Sequence, residues 1–316
     1  MKRELNIALI GCGNWGKNIA RNLHQMGSLA CIYDTNSMLS KKLSHEYNLP
    51  TFEINKIFEN KNINGIVIAS PAKTHKDLAI QSLKNDKDVF IEKPFCLSLL
   101  DAQMLSELAI IRNKVLMVGH LLNYHNAFIK MKELIKNGKI GALQNIRANR
   151  LALGAIRSKE SVIYDLSAHD ISMILSITEE LPIDVNVQSI HHHNNIGPDA
   201  ICVKLLFSRG LTALINSDWM CPYKEHKFSA IGTKGSLIFD DTKTWSEKLL
   251  YNPSFVTSNN AIESLPIEKI KIQENEPLKS ELNEFIDCLH SRKSPLTDHK
   301  EAVKVQTVID MIDKKI

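Results

Sequence analysis

The residues able to carry chemistry begin with a set of glycines. Gly11, Gly13 and Gly16 lie in the segment Gly11-Cys12-Gly13-Asn14-Trp15-Gly16, directly after the apolar run at 5–10 (LNIALI) and before a helical stretch at 17–26. Between a strand and a helix, that spacing reads as a dinucleotide-binding loop. Gly11 permits the tight turn, Gly13 lets a pyrophosphate approach the backbone, and Gly16 allows the helix to close on the strand. Asn14 and Trp15 count with them as cofactor contacts, at a helix start whose free N–H groups and partial positive charge suit phosphate. Asp34 ends a second strand-like run, Leu29–Tyr33. Its carboxylate can accept hydrogen bonds from the adenosine ribose and would repel a 2′-phosphate. No Lys or Arg follows until Lys41, which points to NAD rather than NADP.

These residues need a scaffold. A buried-strand run at 65–69 (GIVIA) stops at Ser70-Pro71, a helix follows over about 74–83, and 88–91 (DVFI) reads as the next strand. The βαβαβ alternation predicts a Rossmann-type α/β domain with a right-handed, doubly wound parallel sheet. Such sheets bind ligands at the carboxyl ends of their strands, which places Ser70, Pro71, His75, Glu92, Lys93 and Pro94 near the cofactor. After Gly119 the alternation gives way to strand-like runs at 143–150, 185–191, 200–207, 211–217 and 236–239. Ser208-Arg209-Gly210 between two of them marks a hairpin. Residues 278–289 carry the spacing of an amphipathic helix, and a last helix starts near Asp298. A chain of 316 residues is longer than one core sustains, so two domains are expected.

In order along the chain stand GxGxxG, ASPAxxH at 69–75, EKP at 92–94, GH at 119–120 and DxxxHD at 165–170. Together they resemble the Gfo/Idh/MocA family of sugar and inositol dehydrogenases over essentially the whole chain. The resemblance implies a Rossmann domain over 1–119 and an α+β domain over 120–296. The second would hold a large, open, mostly antiparallel sheet that carries the substrate pocket and often mediates oligomerisation. A C-terminal helix at about 297–316 would pack back on the nucleotide domain, and a homodimer or homotetramer is implied. A narrower likeness rests on 119–125, Asn149-Arg150-Leu151, Gly154, Arg157 and 167–172. It is similar to a branch that oxidises the 3-hydroxyl of UDP-N-acetylglucosamine or its uronate. A dehydrogenase of inositol or free sugars is the alternative enzyme. A dinucleotide-binding regulator without turnover is the alternative of another kind.

Oxidation of a secondary alcohol needs a base for the hydroxyl proton, a hydride acceptor, and positive charge where alkoxide character develops. His169 is the candidate base, since imidazole titrates near neutrality. Lys93 is the candidate electrostatic partner. Asp165, four residues before His169, falls on the same helical face and could orient it. Alone, a His beside an Asp is usually a solvated pair and a Lys after a strand is usually surface; the order of the motifs reverses both readings. His120, Tyr124, Asn149, Arg150, Arg157 and His169 are the candidate substrate contacts, Arg because its planar fork suits a diphosphate. For Arg150 and Arg157, ordinary surface or interface charge is an equal reading.

Several classes are excluded. A net charge of +4, from 39 basic and 35 acidic residues, lacks the clustered basic face that nucleic acid requires. No cysteine pair has CxxC spacing, so neither a disulfide framework nor a zinc site is indicated. His191, His192 and His193 alternate across a strand and cannot converge on one metal. Neither a secretory leader nor a membrane-spanning run is present in the sequence, so a cytoplasmic protein acting on a small-molecule sugar or nucleotide sugar is expected.

Overall fold

Five apolar runs become parallel strands because both their faces are covered by helices, which lets them be continuously hydrophobic. They are β1 (Ile7–Ile10), β2 (Leu29–Tyr33), β3 (Gly65–Ile68), β4 (Asp88–Glu92) and β5 (Leu116–Gly119), in the spatial order β2-β1-β3-β4-β5. Every neighbour pair is parallel. Helices α1 (Asn14–Gln25), α2 (Ser37–Glu46), α3 (Ile54–Glu59), α4 (His75–Lys84) and α5 (Leu99–Ile111) connect them. The order reverses between β1 and β3, the point at which such sheets open a crevice for ligand. This computed structural model describes residues 5–154, 160–192, 197–257 and 259–316. Among them no helix is long and apolar enough to cross a membrane.

The second sheet has eight strands. It is built from β6 (Leu143–Leu151), β7 (Asp184–Ile190), β8 (Ala200–Leu206), β9 (Thr212–Asp218), β10 (Glu225–Gly232), β11 (Gly235–Asp240), β12 (Leu249–Asn252) and, beyond the small hairpin β13 (Phe255–Val256) and β14 (Ile262–Glu263), β15 (Glu268–Lys269). Its order is β15-β12-β11-β10-β6-β9-β8-β7, with β6 and β9 parallel and the other pairs antiparallel. The expected 208–210 turn joins β8 to β9 as a hairpin, with Arg209 and Gly210 both at positive φ. Alternate residues of the central strands, such as Ile146, Ala148, Ile215, Phe228 and Ala230, are buried. Helices α6 (Asn126–Lys136) and α7 (Ala168–Thr178) belong to this unit, with Phe128 of α6 edge-on to Phe228 at 5.6 Å.

The chain ends with α8 (Pro277–Ser291) and α9 (His299–Asp313), and they divide differently from the expected boundary. Met1–Leu121 and Glu276–Gln306 form one unit, Leu122–Asn275 and Thr307–Ile316 the other. Thus α8, expected within the second domain, belongs to the Rossmann unit. The reason is steric. Gly65 has no side chain, and a Cβ there would lie 3.0 Å from Leu289, so α8 can seat Leu289 and Phe285 directly on β3. Phe285 also meets Phe90 of β4 edge-on at 5.8 Å. Next to α8, Thr297 closes the edge of β5 by exchanging bonds with Val118, whose N–H donates to the Thr297 carbonyl at 2.9 Å. The last residues of α9 divide with the second unit, where the Tyr164 hydroxyl donates to Asp313 at 2.9 Å.

Candidate active site and dinucleotide cradle

The glycine loop is shaped by backbone contact. Gly11 has φ +107°, and a Cβ on it would sit 2.5 Å from the Ala69 carbonyl. A Cβ on Gly16 would overlap the Gly11 carbonyl oxygen. Gly13 is the contrast: its φ is −64°, and no atom lies within 4 Å of its Cβ position. That open side adjoins the start of α1, where no side chain caps the first amides, so the cradle fits a pyrophosphate. Gly13→Ala should therefore leave the melting temperature within about 2 °C of wild type. It should weaken NAD binding at least about tenfold in a calorimetric titration, because the methyl enters space reserved for ligand; unchanged affinity would remove Gly13 from the cradle.

Asp34 is held from both sides. One carboxylate oxygen accepts the Cys12 N–H at 2.6 Å and the other the Asn36 N–H at 2.7 Å. The acidic group is thereby fixed at the end of β2 beside the glycine loop. Trp15, 41% exposed, donates its indole N–H to Glu92 Oε1 at 2.6 Å, which links the loop to the end of β4. Glu92 is only 9% exposed. Burial pushes its carboxyl up to about 7, against the opposing pull of the Trp15 bond and the Lys93 charge. Lys93 follows it, partly buried.

Two residues of this unit sit differently from the sequence expectation. His75 is 1% exposed, and its ring nitrogens each lie 2.8 Å from a backbone carbonyl, Nδ1 from Pro94 and Nε2 from Ser70. With the ring enclosed, it braces two loops, and burial holds its pKa below the usual imidazole value. His120 is also buried and is bonded through Nδ1 to Glu301 at 2.6 Å. Ser70 is tied locally. Thr74 gives its hydroxyl proton to the Pro71 carbonyl, so Ser70 is the donor across the 2.7 Å contact between the two hydroxyls.

In the second unit, Asp165 lies on a π-turn over Ile163–Ser167 that runs straight into α7, where His169 is the second residue. Such turns recur at functional sites. Trp219 donates its indole N–H to Asp165 at 3.1 Å. Arg150, expected as a substrate contact, instead gives its fork to Asp170, Nε at 3.1 Å and Nη2 at 2.8 Å. It stands in the buried row of β6, so the pair anchors α7 to the sheet. Asn149 bridges neighbouring strands, donating to Glu225 and accepting from Asn216, each at 2.8 Å. Tyr124 is buried. Arg157 lies outside the described residues. Among those described, no group of three His, Cys, Asp or Glu could hold a metal ion.

Residues 5–120 match the model of an oxidoreductase family with an NAD-binding Rossmann fold, and 128–238 match the C-terminal domain of the same family. The chain belongs to the Gfo/Idh/MocA family. Its first unit is accordingly an NAD-binding Rossmann domain, which the open cradle and the fixed Asp34 fit. A scyllo-inositol 2-dehydrogenase (NAD(+)) of Bacillus subtilis is 22% identical over 96% of this chain and 91% of its own. A 2,7-anhydro-N-acetylneuraminate hydratase of Escherichia coli is 24% identical over 76% and 68%. The UDP-N-acetylglucosamine 3-dehydrogenase of Acidithiobacillus ferrooxidans is 27% identical over 59% and 58%. A solved structure of that name and organism covers 99% of this chain and 97% of its own with a TM-score of 0.87.

One group in this Gfo/Idh/MocA chain escaped the sequence reading. Glu281 of α8 is fully buried, and neither of its carboxyl oxygens has a hydrogen-bond partner. Burial first, then the charge of Glu92, pushes its carboxyl well above the usual carboxylate range. Its signal was present: Leu278, Glu281 and Phe285 share one face of α8.

Proposed function

We propose that the chain is an NAD-dependent dehydrogenase that oxidises a secondary sugar hydroxyl, at C3 of a UDP-N-acetylhexosamine or its uronate. The observation that carries the oxidoreductase reading is the Trp15–Glu92 bond, which joins the glycine loop to the end of the strand that Lys93 follows. Gly11, Gly13, Gly16 and Asp34 would hold the cofactor, and NAD, when bound, supplies the hydride acceptor. His169 takes the hydroxyl proton as the carbinol hydrogen leaves as hydride, and the C–O bond becomes a carbonyl. Lys93 stabilises the negative charge that grows on the reacting oxygen. Asp165, with one oxygen held by Trp219, orients the histidine. Support for the nucleotide-sugar substrate is the likeness to the Acidithiobacillus ferrooxidans enzyme; Arg157 is kept as the candidate for the diphosphate. The longer match to the inositol dehydrogenase favours a free polyol as the second reading.

The test is NADH absorbance with enzyme at high concentration, excess NAD and, separately, UDP-N-acetylglucosamine, its uronate, N-acetylglucosamine and inositol. High enzyme reveals a single turnover if the cofactor is held tightly. Signal with a UDP-sugar alone is expected. Signal with inositol or the free sugar alone moves the substrate to the polyol class, and silence throughout, with NAD bound, counts against both.

A further inference from the structure

The brace at His75 does more than fill space. His75 opens α4, whose Ala79, Ser82 and Leu83 are buried beneath the sheet, so the ring is carried on a fixed base. It reaches two loops at the carboxyl ends of neighbouring strands: Ser70 after β3 and Pro94 after β4. Both partners are carbonyl acceptors. A carbonyl only accepts, so each ring nitrogen bonds its partner only while it carries a proton. The Pro94 contact is buried, whereas Ser70 lies partly exposed. A buried carbonyl left without a donor costs more than one in a partly exposed loop, so the tie from Nδ1 to Pro94 is the one the segment depends on.

We propose that His75 is a positioning residue for Lys93, donating from Nδ1 to the Pro94 carbonyl and so fixing the Lys93–Pro94 segment. Proline restricts φ, so fixing its carbonyl fixes the direction in which the chain leaves Lys93. Cys96, two residues further on, is 2% exposed and belongs to the same buried core as Ala102 and Leu105. It registers any loosening of the segment. The inference rests on the catalytic reading of Lys93 for its effect on turnover, but its structural part does not.

Asn and Gln separate the two ties, since the amide nitrogen of Asn falls near the site of Nδ1 and that of Gln near Nε2. The enzyme with NAD bound is compared as wild type, His75→Asn, His75→Gln and His75→Phe. The rate of Cys96 alkylation by iodoacetamide is read by peptide mass spectrometry, and kcat and the KM for NAD by steady-state kinetics. Expected are at least about tenfold faster labelling in the Gln and Phe variants and near wild-type labelling in Asn. A kcat lower by about 10–100-fold in Gln and Phe, with KM for NAD little changed, follows from displacement of a catalytic group. Equal labelling in the Asn and Gln variants overturns the Nδ1 assignment, and wild-type labelling in all three overturns the brace. Altered labelling with unaltered kcat overturns the positioning role, whereas Lys93→Ala that keeps its turnover overturns the catalytic reading itself.

Discussion

Lys93→Ala should lower kcat by about a thousandfold while the Kd for NAD stays within about twofold of wild type. The magnitude follows from what the ammonium is asked to do. Negative charge grows on the substrate oxygen as hydride leaves, and loss of one preorganised donor to such an oxygen costs on the order of 10²–10³ in rate. A full positive charge belongs at the upper end of that range. NAD affinity is spared because the cradle is made by Gly11, Gly13, the start of α1 and Asp34, whose carboxylate is already held by the Cys12 and Asn36 amides. Steady-state kinetics with a fluorescence titration of NAD read both quantities. Lys93→Arg keeps the charge but alters its shape and reach, so it should recover only a part of the activity. A Lys93→Ala enzyme with more than about a third of wild-type kcat would end the assignment.

The Rossmann half was legible because its signals are local. β2 is bounded as the run Leu29–Tyr33 suggested, and the glycines act through backbone sterics that hardly depend on distant residues. Elements whose signal depends on tertiary context were harder to read. β10 opens with Glu225-His226-Lys227, and its buried face is set by Phe228, Ala230 and Gly232, too small and too polar a pattern to stand out. α5 buries Ala102, Leu105 and Ala109 but exposes Leu100, Met104 and Ile111, which blurs the helical period. The placement of α8 depends on Gly65, more than two hundred residues earlier. At the site, the motif residues were found but their partners were not. Nothing local to His75 announces that two carbonyls will enclose it, and Arg150 looks like a ligand-binding arginine until Asp170 is seen beneath it. Charge and residue type mark a site in sequence, whereas burial decides whether a given side chain meets ligand or holds one that does.

Asp170→Asn should destabilise the protein by about 3–5 kcal/mol in urea unfolding, the range for breaking a buried ion pair from one side. The pair qualifies: the side chains of Arg150 and Asp170 are 10% and 2% exposed, and two donors of the guanidinium fork meet the carboxylate. Removing the charge strands a guanidinium in the buried row of β6, the cost of which exceeds what the pair contributes when complete. Its electrostatic signature can be read separately. His226 is held down to about 4, by burial first and then by the charge of Arg150, with Asp170 pulling the other way. Arg150→Met should therefore raise the His226 midpoint in an NMR titration, because a repelling cation has gone and an attracting carboxylate is left unpaired. The double replacement Arg150→Met/Asp170→Leu should cost less than the sum of its single changes, by an interaction energy of about 1–3 kcal/mol. Asp170 also sits next to His169 on α7, so the Asn variant should lose turnover before it loses its fold, as the helix start shifts against the sheet. A stability within about 1 kcal/mol of wild type would mean that the carboxylate does not anchor α7.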